Sequence, residues 1–346
     1  MKKLYSTQKY KRFNKQRSLH VLRRMSAPKR EAYRNMQRKR LRKMERFYHD
    51  AMKAPADFRF LNNTAECADF FQKIRTKRNY HLRNNRRMMT INLKHVAQID
   101  FAAVMTLAAI CEELRCEKIH VNGNFPKDND CRKYLIDSGF LNQKYDEFSH
   151  LYTLQSKTEF MSLERGQERL RLEDLKNISN LALHISAHLS RKEEENLNLI
   201  TLLKEICGNS VEWGDAYKRQ WSMAAKFEEG KVILVAVDLG QGILNTLYRK
   251  YAEKLKDFFT QKEDWQILER AFDRKYESAS HDTNRNKGLP SIKKASEEGI
   301  IKKLSVVTNN VCLAFDNSGK KLTFADSKTA FMGTLYLFEI DETCIK

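Results

Sequence analysis

Residues 231–242 read Lys231-Val-Ile-Leu-Val-Ala-Val-Asp238-Leu-Gly240-Gln-Gly242. The apolar, β-rich run Val232–Val237 predicts a strand over Val232–Asp238. An acidic side chain closes that strand. Two glycines follow it, at positions where the backbone can come close to a ligand. Upstream, Glu228-Glu-Gly230 is a turn signal joining this strand to another over Met223–Phe227. Further upstream, two long patterns predict helices over Leu170–Leu189 and Glu194–Trp213. The first carries Leu172, Leu175, Ile178, Leu181, Ala182, Ile185 and Leu189 at helical spacing. Downstream, a helical stretch over 243–280 leads to Asn286-Lys-Gly288 and a helix over Pro290–Glu298. Three strands close the chain: Lys303–Thr308, Val311–Phe315 and Leu335–Ile340. Asp316-Asn-Ser-Gly319 is a hairpin turn.

The region before this one, about 56–158, alternates strands with helices. Strands are expected at Phe58–Leu61, Met88–Leu93 and Lys118–Val121, and helices at Glu66–Lys77, Phe101–Leu114 and Asp130–Ser138. Asn122-Gly-Asn-Phe-Pro126 is a turn, and Gly139 is a helix-terminating left-handed residue. That alternation predicts a small α/β domain.

The first 55 residues differ in kind. Of the net charge of +20, Met1–Tyr48 supplies +16, with 18 Lys and Arg against Glu31 and Glu45. Phe70–Ile99 adds +8 with no acid, so the rest of the chain is net acidic. After Pro28, the series Ala32, Met36, Lys39/Arg40, Lys43 and Phe47 suits a helix that is basic almost all round, with little to bury without a partner. The asymmetry is a footprint for a polyanion. Tyr and Phe interleaved with Lys11, Arg12, Arg23, Arg24, Arg38, Lys39, Arg40, Arg42 and Lys43 favour RNA or DNA, with bases free to stack on the rings. A membrane surface is disfavoured because the apolar face is too narrow.

With 12 Gly and 4 Pro, the chain has well below the average usage of about 7% and 5%, which argues for a helix-rich protein and against an all-β sandwich. No apolar run reaches the ~18–20 residues that span a bilayer. The basic residues at the N-terminus have no apolar stretch behind them, so no signal peptide is expected. Seven scattered cysteines without a C-x-x-C pair predict reduced thiols in a cytoplasmic protein and neither a disulfide framework nor a structural zinc.

Four short stretches in the last region fit one another. Glu205-Ile-Cys-Gly-Asn209 lies on a helix, with carboxylate and amide on one face. Asp238-Leu-Gly-Gln-Gly242 ends a strand. Lys287-Gly288-Leu-Pro290 opens a helix whose N–H groups can receive phosphate. Gly333-Thr334 begins the last strand. In this order they resemble the GHKL or Bergerat-fold ATPases, the superfamily of DNA gyrase, a heat-shock chaperone, mismatch-repair ATPases and histidine kinases. The resemblance runs from about Leu189 to the end. It implies an α/β sandwich with ATP between helices and an antiparallel sheet. Asn209 would coordinate Mg²⁺ bridging the phosphates, and Glu205 would activate water or an acceptor hydroxyl. Asp238 would bond the adenine amino group, supported through water by Thr334. Gly240 and Gly242 would admit the base, Gly288 would lie where the lid meets the phosphates, and Arg285 and Lys287 would meet the γ-phosphate. The sequence departs from the family in its second glycine box, which keeps only Gly288 and has Asn286 in place of the first glycine.

The preceding region resembles the STAS domain of anti-sigma-factor antagonists. The residues that carry this are Ile91-Asn-Leu, His95-Val-Ala-Gln-Ile-Asp100, Ile119-His-Val and Leu135-Ile-Asp-Ser-Gly139-Phe140. Phosphorylated antagonists have a Ser after the Asp. Here Asp100 is followed by Phe101-Ala-Ala, which implies a docking or dimerisation module without the usual phospho-acceptor.

The expected organisation is therefore a basic helical arm (1–55), a STAS-like α/β domain (56–158) and a Bergerat-fold α/β sandwich (159–346). The expected function is an ATP-binding, Mg²⁺-dependent ATP-hydrolysing regulator whose nucleotide state controls a protein or nucleic-acid partner or a homodimer. Such a fusion suits a bacterial stress or phage-defence component. The alternatives are a serine/threonine kinase of the anti-sigma type acting on a separate STAS partner, and a nucleic-acid-binding adaptor with a degenerate pocket. His184 and His188, at i, i+4 spacing, lack the flanking run of a phospho-acceptor and a third metal ligand. Cys207 has no basic partner beside it and reads as a buried spacer.

Overall fold

A computed structural model describes residues 12–17, 20, 24–36, 38, 51–76, 80–83, 86–140, 158–162, 170–213, 221–251, 263–273, 288–316, 319–324 and 330–345. Contacts divide the chain into two units, Met1–Ala51 and Met52–Lys346. In the first, the described backbone is helical at 12–17, 20, 24, 27–36 and 38, and of its described side chains only Ala51, at the boundary, is buried. Phe13 and Met36 are 58% and 56% exposed, as a helix basic on nearly every face requires.

In the second unit, the first elements are β1 (Met52–Lys53), β2 (Asp57–Phe58), α1 (Thr64–Arg75), β3 (His81–Arg83), β4 (Arg86–Asn92), β5 (Gln98–Ile99), α2 (Phe101–Cys116), β6 (Ile119–Gly123) and α3 (Asn129–Asp137). β4 pairs in parallel with β1 and β6 and antiparallel with β3, while β2 and β5 form a separate parallel pair. Caps set the helix starts. The Asp100 carboxylate accepts the Ala103 N–H at 2.7 Å, and Asp128 accepts those of Asp130 and Cys131 at 3.0 and 2.9 Å. Asp100 is thus a helix cap. Gly139 has φ 77°, as its expected left-handed role demands. The strand expected over Phe58–Leu61 is only two residues long. Arg59 folds back on Asp57 at 2.7 and 2.8 Å, and 59–63 turn into α1.

The remaining elements are β7 (Thr158–Ser162), α4 (Leu172–Ser190), α5 (Leu197–Trp213), β8 (Trp221–Glu228), β9 (Lys231–Asp238), α6 (Ile243–Tyr251), α7 (Asp264–Phe272), α8 (Gly288–Glu297), β10 (Lys302–Asn309), β11 (Val311–Ala314), β12 (Lys321–Thr323) and β13 (Phe331–Asp341). The strands form one antiparallel sheet in the order β12-β11-β10-β13-β9-β8-β7. β12, three residues long, is too short for a visible period, and neither it nor β7 has a counterpart in the sequence reading.

Both faces of this sheet are covered, and β9 shows why its apolar run does not alternate. Val232, Leu234 and Ala236 pack with Ile185, Leu203, Ile206 and Ile292 from α4, α5 and α8. Val235, Val237 and Leu239 pack instead with α1 and α2. Strands buried on both sides need apolar residues at every position. On the second face, Phe71 of α1 is fully buried, with ring centroids 5.7, 5.1 and 6.4 Å from Phe58, Phe60 and Phe331. Phe331 belongs to the seven-stranded sheet, so residues 52–140 and 158–345 share this core. Phe71→Ala removes the ring common to both and should cost about 3–5 kcal/mol. The expected outcome is a lower urea midpoint for a single transition spanning both regions. Two separated transitions would show that the regions do not unfold together.

Candidate functional site

The ladder between β9 and β13 ends at the pair Asp238–Thr334. Beyond it the two strands part, β9 into the turn Leu239–Gly242 and α6, and β13 back through Gly333 and Met332. Side-chain alternation places Asp238 on the face covered by α4, α5 and α8, beside Trp221, its partner on β8, and Tyr336 of β13. The Asp238 carboxylate is half-buried and accepts the Gly240 N–H at 3.0 Å through Oδ1. Oδ2 has no partner among the described residues. Burial pushes the carboxyl up to about 7. The Gly240 N–H and the charge of Arg75 pull it down, and Glu113 pushes it further up. Burial, and secondarily Asp238 itself, also push the Tyr336 hydroxyl above its ordinary range.

The glycines are required by this turn. At Gly242 (φ 82°) an added Cβ would lie 2.4 Å from Asn309 Oδ1, and at Gly240 it would lie 3.1 Å from the Asp238 carboxylate. At Gly333 (φ 150°) it would lie 2.2 Å from the Asp238 carbonyl oxygen. Gly333 is what allows the two strand ends to run so close.

Two neighbours of the turn were not singled out in the sequence. The Thr308 hydroxyl donates to Gly333 O (2.9 Å), accepts the Ile243 N–H (2.9 Å) and lies 3.2 Å from the Thr334 hydroxyl. Asn309, left-handed at φ 52°, accepts the Leu244 N–H at 3.1 Å through Oδ1 and donates to Gln241 O at 2.8 Å through Nδ2. Together they cap α6 from another strand and fix the turn below Asp238. Asn309-Asn310 between two apolar strands is a turn signal that could have pointed to them.

Glu205 lies half-buried on α5, whose Leu199, Leu203, Ile206 and Cys207 are buried in the core between helix and sheet. Asn209 follows one turn later, and its side chain lies outside the described residues. Cys207 is buried and its thiol is pushed well above the ordinary value by burial, as a spacer would be. Gly288, buried, opens α8, which packs on α5. Arg285 and Lys287 lie outside the described residues. So do Lys11, Arg23, Lys39, Arg40, Arg42 and Lys43 of the arm, whereas Arg12, Arg24 and Arg38 are described and exposed. His184 and His188 are exposed, and the His188 ring nitrogen Nε2 meets Glu228 O at 2.6 Å.

Among the described residues, no group of three or more His, Cys, Asp or Glu could hold a metal ion, and no helix is long and apolar enough to cross a membrane. All seven cysteines are free. No protein-family model, curated protein or solved structure matches the chain.

The Asp238 carboxyl holds its proton to about pH 7 in the folded chain, against 3.8 ordinarily. Between those values the native state binds more protons than the unfolded one, so stability should fall as pH rises from about 4 to about 7. Urea unfolding over a pH series should show that slope, and Asp238→Asn should flatten it. A variant with the same slope as the parent would place its origin elsewhere.

Proposed function

We propose that this chain binds ATP between α5 and the β9–β13 strand ends and hydrolyses it, and that its nucleotide state controls access of a protein or nucleic-acid partner. The observation that carries the reading is Asp238. A half-buried carboxylate keeps one oxygen without a partner among the described residues, on a glycine turn, beneath the helix that bears Glu205 and Asn209. A purine amino group supplies the N–H such an oxygen lacks, and a desolvated acceptor left unpaired is costly. The donor set suits the base end of ATP. At the phosphate end, Asn209 would hold Mg²⁺ with the phosphate oxygens, while Arg285, Lys287 and the α8 N-terminus carrying Gly288 offer charge and N–H groups. Bound Mg²⁺ would neutralise charge that develops on the phosphates. Thr334 shares its hydroxyl contact with Thr308 and keeps the strand end beside Asp238 in register. Glu205 takes the proton of the attacking water.

Calorimetry with ATP and Mg²⁺ tests this. Asp238→Asn should abolish binding by placing an amide donor opposite the purine amino group. Glu205→Ala should keep binding and lose roughly 10²–10⁴-fold in turnover, the contribution of a positioned base. Asn209→Ala should lose the Mg²⁺-dependent part of the affinity. Unchanged ATP affinity in Asp238→Asn would overturn the assignment of the pocket.

The arm supplies the partner side of the reading. With 18 basic residues in 48 and no buried side chain among those described, it matches a phosphate backbone better than an apolar groove. If ~6–9 of those charges meet phosphates at once, affinity for RNA or DNA should fall by orders of magnitude between low and physiological salt. Sequence preference should be slight. Filter binding should show this loss, and deleting residues 1–48 should remove it while ATP binding stays. Equal affinity in the truncated chain would locate the nucleic-acid surface elsewhere.

A further inference from the structure

Arg75, in the last turn of α1, approaches the site from the back of the seven-stranded sheet. Its Nε and Nη2 donate to the two carboxylate oxygens of Glu113 on α2, at 2.7 and 3.0 Å. Nη2 also donates to Leu239 O at 2.8 Å, and Nη1 to Met332 O. The two side chains are only 13% and 9% exposed. Leu239 directly follows Asp238, and Met332 directly precedes Gly333-Thr334. These carbonyls mark the point where the β9–β13 ladder has run out, so neither strand can satisfy the other's backbone there. A planar fork of five donors spans both carbonyls and a carboxylate at once, which a lysine ammonium cannot do.

A buried ion pair is weak evidence for stability as such, since apolar replacements of similar volume are often neutral or better. The pair is placed where it fixes two strand ends, one directly after Asp238 and the other directly before Gly333-Thr334. We propose that Arg75 is a positioning residue for Asp238, tying the strand ends from behind so that docking of the 52–140 layer holds the pocket in its binding geometry. The proposal deepens the nucleotide reading and rests on it for the ligand. For the carboxylate it stands on contacts within the chain.

The charged groups that bear on Asp238 are Arg75 from α1, which lowers its pKa, and Glu113 from α2, which raises it. Tyr336 on β13 stays neutral, and Glu205 stands on α5, packed over β9. The two partners of one ion pair thus act on Asp238 with opposite sign. That separates positioning from plain scaffolding, because loss of a structural bridge moves both variants the same way.

The test uses the full chain, with ATP and Mg²⁺ as probe and carboxyl ¹³C NMR of Asp238 without nucleotide. Arg75→Met should weaken ATP binding roughly tenfold, the scale of such indirect coupling. It should also move the Asp238 titration to higher pH, while Glu113→Gln should move it lower. Arg75→Lys keeps the charge but loses the fork. It should weaken ATP binding with little change in the titration, and it replaces Arg75→Met if that variant does not fold. A folded Arg75 variant with parental affinity and titration overturns the proposal, as do titration shifts of the same sign from Arg75→Met and Glu113→Gln. If the parent chain binds no ATP, the nucleotide reading fails by itself, and the signs of the two titration shifts still decide the role of Arg75.

Discussion

The pairing of β9 with β13, and the point at which it stops, is the constraint on which the rest of the second unit depends. The two central strands stay in register from Asp341–Lys231 to Thr334–Asp238. At the next position only a glycine fits, because any side chain on Gly333 would enter the Asp238 carbonyl. Beyond that close approach the β9–β13 ladder does not continue, and the two chains take different paths. The α6 cap by Thr308 and Asn309, the glycine turn beneath Asp238 and the Arg75 fork behind it are three ways of satisfying backbone groups that the ladder leaves behind.

A sheet covered on both faces has little reason to keep a carboxylate at the end of an inner strand. Asp238 sits among Trp221, Tyr336 and the helix layer, and burial raises its pKa to about 7. Arg75 does not neutralise it directly, since its donors go to Glu113 and two carbonyls. A protein selected for stability alone would fill this position with an apolar residue or pair the charge. The site keeps acceptor capacity open toward the helix layer and its support on the opposite side.

Much of this was legible in the sequence, and the parts that were not share one cause. Elements with several turns or a long apolar run, such as Leu172–Ser190, Phe101–Cys116 and Lys231–Asp238, announce themselves by period or composition. The glycine turn at the end of β9 was readable because acid, glycine and glycine follow one another in the chain. Strands of two or three residues, such as Met52–Lys53, His81–Arg83 and Lys321–Thr323, have no period to detect. Arg75 was invisible as a site residue because its function lies in contacts with Leu239 and Met332, some 160 and 257 positions away. It appeared in the sequence only as one more charge in a basic stretch. Thr308 and Asn309 were hidden in the same way, their partners lying on α6 and β13.

The basic stretch Phe70–Ile99 therefore needs dividing. Arg75 is committed to Glu113 and the strand ends, and Arg87 donates to Glu117 O at 2.7 Å while lying over the Tyr80 ring. Lys73 pairs with Asp69. Charges already engaged by carboxylates and carbonyls have less to offer a polyanion, because a phosphate would have to compete with partners that are already in place. In the first unit, Arg12, Arg24 and Arg38 are exposed, and no acid but Glu31 and Glu45 falls within its first 48 residues. Net charge by segment treats the two stretches alike. Side-chain partners account for Arg75, Arg87 and Lys73 in the one stretch, while the described Arg12, Arg24 and Arg38 of the other stay exposed.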